Sequence, residues 1–177
     1  MFRILKQAIS TGVVTEPAPP DAELERLGLE LRRHIHRRFG RSLAIRQVDA
    51  GSCNGCELEI HALSNPYYDV ERFGVHFVAS PRHADALLVT GPVSRHMETA
   101  LRRTWRAMPA PKMVIAAGTC ACDGGEFGVS YASCGAVANV IPVDATIAGC
   151  PPEPLALLKG LLGIMHSQVN RSTGAGR

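Results

Sequence analysis

The chain has 177 residues and a net charge of +3; 46% of its residues are hydrophobic and 20% are charged. A chain of this length and composition can bury a core within about one domain, which excludes an intrinsically disordered protein. The small net charge gives no support for nucleic-acid binding. The sequence contains no apolar run of about 18 or more residues and no secretion signal at its start, so we expect neither a membrane-spanning helix nor export. Without export, six cysteines favour thiolate ligands over disulfides.

The N-terminal part of the chain divides into a proline-rich segment and a basic helix. Residues 1–20 end in several prolines, and we predict an extended N-terminal arm there. Residues 21–41 place apolar side chains three and four residues apart, which predicts an amphipathic helix capped by Asp21. Its last turns carry arginines, which suit the negative end of the helix dipole and also a membrane surface or an acidic partner. We expect the histidines of this helix to face solvent and not to bind a metal.

Residues 42–167 are predicted to form one α/β domain. Apolar, strand-like runs alternate with helical patterns through this range, and some runs are apolar throughout, as buried parallel strands are. The predicted strands lie within 42–50, 74–79, 84–90, 113–117 and 140–147. The predicted helices run from Glu57 to Leu63, from Ser94 to Met108 and from Leu155 to Met165. Residues 168–177 are predicted to be a loose C-terminal tail.

Three of the predicted strands end in segments that contain cysteine. Cys53 and Cys56 follow the first strand, Cys120 follows the fourth, and Cys150 follows the last. The carboxyl ends of parallel strands lie along one edge of a sheet, where α/β proteins place their functional crevice. We therefore expect Cys53, Cys56, Cys120 and Cys150 to meet there as the ligands of one metal centre. Four thiolates can hold a single tetrahedral ion or a [4Fe–4S] cluster.

Three alternatives share part of this cysteine pattern. A structural zinc-binding assembly module with four cysteine ligands has the same donors, but zinc ribbons pair two Cys-x-x-Cys knuckles on a small domain that depends on its metal. A thioredoxin-like dithiol at Cys53 and Cys56 would leave Cys120 and Cys150 unexplained. A flavodoxin-type nucleotide site needs a phosphate-binding loop, and neither Gly-x-Gly-x-x-Gly nor a P-loop sequence follows the first strand. Proline directly after a cysteine, as in Cys150-Pro151, is typical of cluster-binding motifs.

Two cysteines and one glutamate near these loops need separate predictions. Cys122 lies two residues from Cys120, a poor spacing for two ligands of one cluster, and Cys134 has the small neighbours of a buried residue. We predict that neither is a ligand. Glu57 directly follows Cys56, and we predict that it favours the helix N-terminus. The alternative for Glu57 is a proton acceptor coupled to cluster reduction.

Four segments together resemble one known family. They are Gly-Ser-Cys-Asn-Gly-Cys-Glu-Leu-Glu at 51–59, Ser-Pro-Arg-His-Ala-Asp at 80–85, Thr-Gly-Pro-Val at 90–93, and Ile-Pro-Val-Asp with Gly-Cys-Pro-Pro within 141–152. These segments resemble the small subunits of group 4 membrane-bound [NiFe]-hydrogenases, including formate hydrogenlyase. They also resemble the complex I subunit that holds the terminal [4Fe–4S] cluster beside the quinone site. Complex I members usually have adjacent cysteines in the first loop, so Cys53-x-x-Cys56 favours the hydrogenase branch.

The resemblance implies a flavodoxin-like fold, with an open, mainly parallel sheet, helices on both faces and the cluster at the C-terminal ends of the strands. It implies an electron-transfer subunit that carries one [4Fe–4S] cluster on the four cysteines and is not catalytic alone. The implied partners are a hydrogenase large subunit or its complex I homologue, a ferredoxin-like iron–sulfur subunit and membrane-arm subunits. The expected location is the cytoplasmic face of the cell membrane, as a peripheral subunit.

Overall fold

The computed structural model describes residues 2–11 and 22–174, and a parallel β-sheet organises the second of these ranges. The sheet has five strands in the order β2-β1-β3-β4-β5, and every neighbouring pair is parallel. The strands are β1 (Leu43–Asp49), β2 (Val75–Phe77), β3 (Ala86–Thr90), β4 (Met113–Ala117) and β5 (Ala145–Ile147). The predicted α/β class with an open, parallel sheet is confirmed.

Helices cover both faces of the sheet. Those in the described residues are α1 (Phe2–Thr11), α2 (Ala22–Phe39), α3 (Gly55–Ala62), α4 (Arg95–Ala107), α5 (Thr119–Asp123) and α6 (Pro154–Gly174). Successive strand side chains point to opposite faces, so Leu88 of β3 packs in the layer of α2, α3 and α6. Its neighbour Leu87 packs in the other layer, against α4. Each layer contains a cluster of buried apolar side chains.

The basic helix α2 lies against α6, with its apolar stripe inward. The buried side chains follow the predicted spacing of three and four residues: Leu24, Leu27, Leu31 and Ile35. The helix ends at Gly40, whose φ of 66° suits glycine and whose amide donates to the His36 carbonyl oxygen at 2.9 Å. Over residues 2–11 and 22–174, no helix has the length and apolar character that crossing a membrane requires.

The predicted arm and tail were wrong for the parts that the structure describes. Phe2–Thr11 is helical and not extended, because the prolines of residues 1–20 begin only at Pro17. Helix α6 continues to Gly174, since no proline follows Pro154 to interrupt it. The proline-rich stretch 15–20, the predicted cap Asp21 and the last residues of the predicted tail lie outside the described residues.

The last strand is shorter than predicted, and one cysteine segment is helical. Residues 140–144 are not part of β5, and Pro142 has no amide hydrogen to donate to a neighbouring strand. The first bond to β4 comes just before the strand, where the Asp144 amide donates to the Val114 carbonyl oxygen at 2.9 Å. Val137–Asn139 form a 3₁₀ turn that leads to β5. Cys120 was expected in a loop, but it lies in α5, a single short turn directly after β4.

Candidate metal centre

The four predicted ligands all lie at the carboxyl edge of the sheet. Cys53 and Cys56 follow β1, Cys120 follows β4, and Cys150 follows β5. The sheet order separates β1 from β4 by β3 alone, so the three segments leave the sheet close together. Cys56 is 9% exposed, Cys120 is partly buried, and Cys53 and Cys150 are exposed. The sulfurs therefore sit between the core and the surface.

Hydrogen bonds join the segments that follow β4 and β5. The Gly118 amide donates to the Ile147 carbonyl oxygen at 2.8 Å, and the Thr119 amide donates to the Gly149 carbonyl oxygen at 2.8 Å. The Thr119 hydroxyl donates to the same Gly149 oxygen at 3.2 Å. These bonds extend the strand pairing past the end of the sheet, and they hold the third and fourth cysteines beside each other.

Short-range hydrogen bonds shape the loop after β1. The Asp49 carboxylate accepts from the amides of Gly51 and Ser52, both at 2.8 Å. The Ser52 hydroxyl oxygen accepts from the Asn54 amide at 2.9 Å, and Asn54 takes a left-handed conformation with φ of 72°. Asparagine tolerates this conformation better than most residues do. The loop backbone around Cys53 is thus set by its own polar side chains.

Glu57 ties this loop to the neighbouring strand. The side chain is only 7% exposed, and its carboxylate accepts hydrogen bonds from the Ser52 hydroxyl and from the Thr90 hydroxyl. Thr90 is the fully buried last residue of β3. Glu57 lies in the first turn of α3, as predicted, but these two bonds join the first cysteine loop to the end of β3. The roles of Ser52 and Thr90 could not be predicted from the sequence, since isolated hydroxyl residues form no recognisable pattern.

Burial and the charges of neighbouring cysteines raise the pKa of two of the four thiols. Burial raises the pKa of Cys56 to about 11, with further increases from the charge of Glu57 and from Cys53, Cys120 and Cys150. Burial also raises the pKa of Cys120, followed by the charges of Cys150 and Cys53. Like charges close together disfavour the thiolate form, and a nearby cation favours it. A metal centre supplies that positive charge.

Glycine backbones lie close to the sulfurs of Cys56 and Cys53. A Cβ atom on Gly118 would lie 2.6 Å from the Cys56 sulfur. A Cβ atom on Gly55 would lie 3.6 Å from the Cys53 sulfur and 3.7 Å from Cγ of Pro151, the residue after the fourth cysteine. The first and last cysteine segments are therefore in contact through Gly55. Only glycine leaves the space for the backbone to come this close to Cys56.

The spacing of the sulfurs bears on whether the centre is a single ion or a cluster. Tetrahedral zinc with bonds of about 2.3 Å brings its four sulfurs to roughly 3.8 Å from one another. Among the residues that the structure describes, no three cysteine sulfurs lie within 4.8 Å of one another. In a [4Fe–4S] cluster each thiolate binds a different iron, so the sulfurs stand farther apart. No three of these sulfurs lie as close together as a single zinc ion would hold them, and four thiolates are donors for either kind of centre.

Cys122 and Cys134 point to other partners. The Cys122 thiol lies 3.6 Å from the Ala116 carbonyl oxygen and 3.8 Å from that of Ile147, so it faces the ends of β4 and β5. Burial raises its pKa, and none of the other cysteines contributes to that shift. The Cys134 thiol is 3.4 Å from a carboxylate oxygen of Glu98 on α4, and the residue is 6% exposed. That neither cysteine is a ligand stays a prediction.

Comparison with known proteins identifies several relatives. The chain is 42% identical over 143 residues to formate hydrogenlyase subunit 7 of Escherichia coli, covering 79% of this chain and 56% of that protein. It is 47% identical over 124 residues to a probable membrane-bound hydrogenase subunit of Pyrococcus furiosus, covering 70% of this chain and 74% of the relative. It is 44% identical over 129 residues to an NADH-quinone oxidoreductase subunit of Desulfovibrio desulfuricans, covering 72% of this chain and 69% of the relative. The chain thus spans little more than half of the first of these relatives.

A solved structure and a family model agree with these relatives. A chain of the membrane-bound sulfane sulfur reductase, an archaeal respiratory membrane complex, superposes with a TM-score of 0.66 and 34% sequence identity. The match covers 80% of this chain and 77% of that one. Residues 53–164, which contain all four predicted ligands, match the family model described as NADH ubiquinone oxidoreductase, 20 Kd subunit. The resemblance found in the sequence is confirmed, and the chain belongs to this 20 kDa subunit family of NADH ubiquinone oxidoreductase and the related hydrogenases.

Proposed function

We propose that the chain is an electron-transfer subunit that holds one [4Fe–4S] cluster on Cys53, Cys56, Cys120 and Cys150. It acts within a multisubunit, membrane-associated oxidoreductase of the hydrogenase or NADH-quinone oxidoreductase type, and it is not catalytic alone. The observation that carries this proposal is the convergence of four thiols from three strand ends. The raised pKa values of Cys56 and Cys120, to which the charges of neighbouring cysteines contribute, are consistent with thiols gathered at one point, and four thiolates are the donors of a [4Fe–4S] cluster.

When bound, the cluster supplies one-electron transfer. The residues of this chain position it. Glu57 holds the first cysteine loop against β3, and the bonds between Gly118, Thr119 and the segment after β5 hold the other two cysteines. A Cβ atom on Gly55 would lie 3.6 Å from the exposed Cys53 sulfur and 3.7 Å from Cγ of Pro151, so the segment after β5 lies near the first cysteine loop. Rigid ligands reduce the rearrangement that accompanies each change of charge.

An apolar surface beside the site supports docking onto a large subunit. Phe127, Val129 and Tyr131 are 64%, 70% and 98% exposed, in the segment that follows α5. That segment starts next to the third ligand, because a Cβ atom on Gly125 would lie 2.8 Å from the Cys120 sulfur. Large exposed apolar side chains close together indicate a protein interface. An electron relay needs its redox partner close by, so this surface would face the hydrogenase large subunit or its complex I homologue.

The remaining partners and the location are proposed by analogy with the relatives. Two of these descriptions name a membrane-bound hydrogenase and a respiratory membrane complex. We infer that a ferredoxin-like iron–sulfur subunit exchanges electrons with this chain and that membrane-arm subunits anchor the assembly. The chain would then lie peripherally at the cytoplasmic face of the cell membrane. Whether the large subunit holds nickel and iron or binds quinone depends on that subunit.

Serine substitution of each cysteine tests the ligand assignment. Serine at Cys53, Cys56, Cys120 or Cys150 should remove or convert the cluster, because a hard alkoxide replaces a soft thiolate. The matched controls are Cys122→Ser and Cys134→Ser, which should leave the cluster's absorption and electron paramagnetic resonance spectra nearly unchanged. If Cys122→Ser bleaches the protein and Cys120→Ser does not, the third ligand is misassigned.

Co-expression with the large subunit tests the partnership. The chain purified alone without oxygen should aggregate or lose its cluster on exposure to air, and the large subunit should prevent both. Size-exclusion chromatography and cluster absorbance, with and without the partner, measure this. Replacing Tyr131, the most exposed of the three apolar side chains, by serine should weaken the complex without changing the cluster. A monomer that stays in solution alone and keeps its cluster in air would contradict an obligate subunit.

A further inference from the structure

A cluster of three potential metal ligands lies far from the cysteines, between α2 and α6. Glu30 and His34 are four residues apart on α2 and therefore share one face of that helix. His166 of α6 completes the group: its Nε2 atom lies 3.2 Å from a carboxylate oxygen of Glu30. The rings of His34 and His166 have centroids 4.0 Å apart. One ligand atom from each of the three side chains lies within 4.8 Å of the other two.

The prediction that the histidines of α2 only face solvent is wrong for His34. His34 and Glu30 are half-buried, whereas His36 on the same helix is exposed. His34 is held between its own helix and α6, and its neighbours there are a second imidazole and a carboxylate. Within the part of the chain that the structure describes, no other three histidine, cysteine or acidic side chains come this close.

The chemistry of the three side chains selects the kind of ion. Two imidazoles and one carboxylate are the ligands of a borderline metal such as zinc, with bonds of about 2.0–2.2 Å, and a water molecule can take the fourth position. Calcium and magnesium prefer oxygen ligands only, so they fit this group poorly. The ligand atoms must close by about an ångström onto such an ion, which rotation of the exposed His166 side chain allows.

We propose that Glu30, His34 and His166 form a binding site for a divalent transition metal ion of the zinc type, which links α2 to α6. The two helices already pack together through their apolar faces and through an ion pair of 2.7 Å between Glu23 and Lys159. A metal ion on the same side adds a second link near the C-terminal part of α6. Arg33 and Arg37 flank His34 on α2, and their positive charge weakens the binding of any cation.

Zinc binding to the intact chain tests this proposal. Zn²⁺ is titrated into the wild type and four variants, His34→Ala, His166→Ala, Glu30→Gln and the control His36→Ala. Zinc X-ray absorption then identifies the ligands, because zinc at the cysteines has sulfur neighbours and zinc at this site has only nitrogen and oxygen neighbours. This measurement separates the two sites whether or not the cysteines hold a cluster.

The expected result is one zinc ion with nitrogen and oxygen ligands in the wild type and in His36→Ala. His34→Ala and His166→Ala should bind that ion at least about tenfold more weakly, since loss of even an outer-shell partner costs a metal site about 10–100-fold. Glu30→Gln keeps the shape of the side chain, so its weaker binding reports on the ligand and not on misfolding. Zinc should also raise the melting temperature of the wild type but not of His34→Ala. Equal zinc affinity in the wild type and His34→Ala, or only sulfur ligands in the wild type, would overturn the proposal.

Discussion

Substitution of Gly118 by alanine tests whether this glycine shapes the candidate metal centre or contributes only to the stability of the fold. Gly118 lies between β4 and α5 with φ of 90° and ψ of 149°, a conformation that non-glycine residues rarely adopt. An added Cβ atom would lie 2.6 Å from the Cys56 sulfur and 3.6 Å from the Gly149 carbonyl oxygen. The distance to the Gly149 oxygen is ordinary contact, but the distance to the Cys56 sulfur is a clash, so the side chain of Cys56, a predicted ligand, or the backbone at residue 118 has to move.

Two causes set the size of the effect of Gly118→Ala: the backbone conformation at residue 118 and the clash with the Cys56 sulfur. The backbone conformation alone should lower the free energy of unfolding by about 1–3 kcal/mol. The clash with Cys56 adds to this cost, and it also displaces a ligand sulfur. We therefore expect Gly118→Ala to lower both the free energy of unfolding, measured in urea, and the cluster content per chain, measured as iron and sulfide.

The matched control is Gly128→Ala. Gly128 also has a positive φ, of 49°, but an added Cβ atom there would have no neighbour within 4 Å. Gly128→Ala should therefore lower the free energy of unfolding by about 1–2 kcal/mol because of the backbone conformation alone, and it should leave the cluster content unchanged. If Gly118→Ala keeps its full cluster content and is no less stable than Gly128→Ala, the close packing of the backbone against Cys56 has no role in holding the site.

Two further predictions concern single hydrogen-bonding side chains. Glu57→Ala leaves the Ser52 and Thr90 hydroxyls without their acceptor. It should lower the free energy of unfolding by about 1–3 kcal/mol and lower the retention of the cluster in air. The control Glu59→Ala should change neither quantity. Ser94→Ala removes the N-cap of α4, whose hydroxyl oxygen accepts from an amide of the first turn at 3.3 Å, and it should cost about 1 kcal/mol in urea unfolding with an unchanged cluster spectrum. Loss of the cluster in Ser94→Ala, or full stability of Glu57→Ala, would contradict the roles given to these residues.

The parts of the fold that repeat a local pattern could be predicted from the sequence. The runs within 84–90 and 113–117 contain β3 and β4, because continuous apolar stretches suit strands that are covered on both faces. The buried stripe of α2 also follows its sequence spacing. The extent of α6 could not be predicted in this way, because polar residues after Met165 show no apolar period although they continue the helix. The helix Phe2–Thr11 was missed because the nearby prolines dominated the interpretation of residues 1–20.

The candidate site was predictable only in its cysteines. All four cysteines follow predicted strands and have glycine or proline nearby. This pattern alone predicts that they lie at one edge of the sheet. The residues that hold these loops were not predictable, since Thr90 and Glu57 are 33 positions apart and meet only in the folded chain. The same reason applies to Glu30 and His166, which are 136 positions apart.

Metal and sulfide analysis of the chain, purified without oxygen together with its large subunit, tests the central claim most directly. We expect about four iron atoms and four acid-labile sulfides on this chain, without stoichiometric zinc at the cysteines. The four serine variants should lack this iron, and Cys122→Ser and Cys134→Ser should retain it. One zinc ion with sulfur ligands and no iron, or roughly eight iron atoms on this chain, would contradict the assignment of a single [4Fe–4S] cluster to Cys53, Cys56, Cys120 and Cys150.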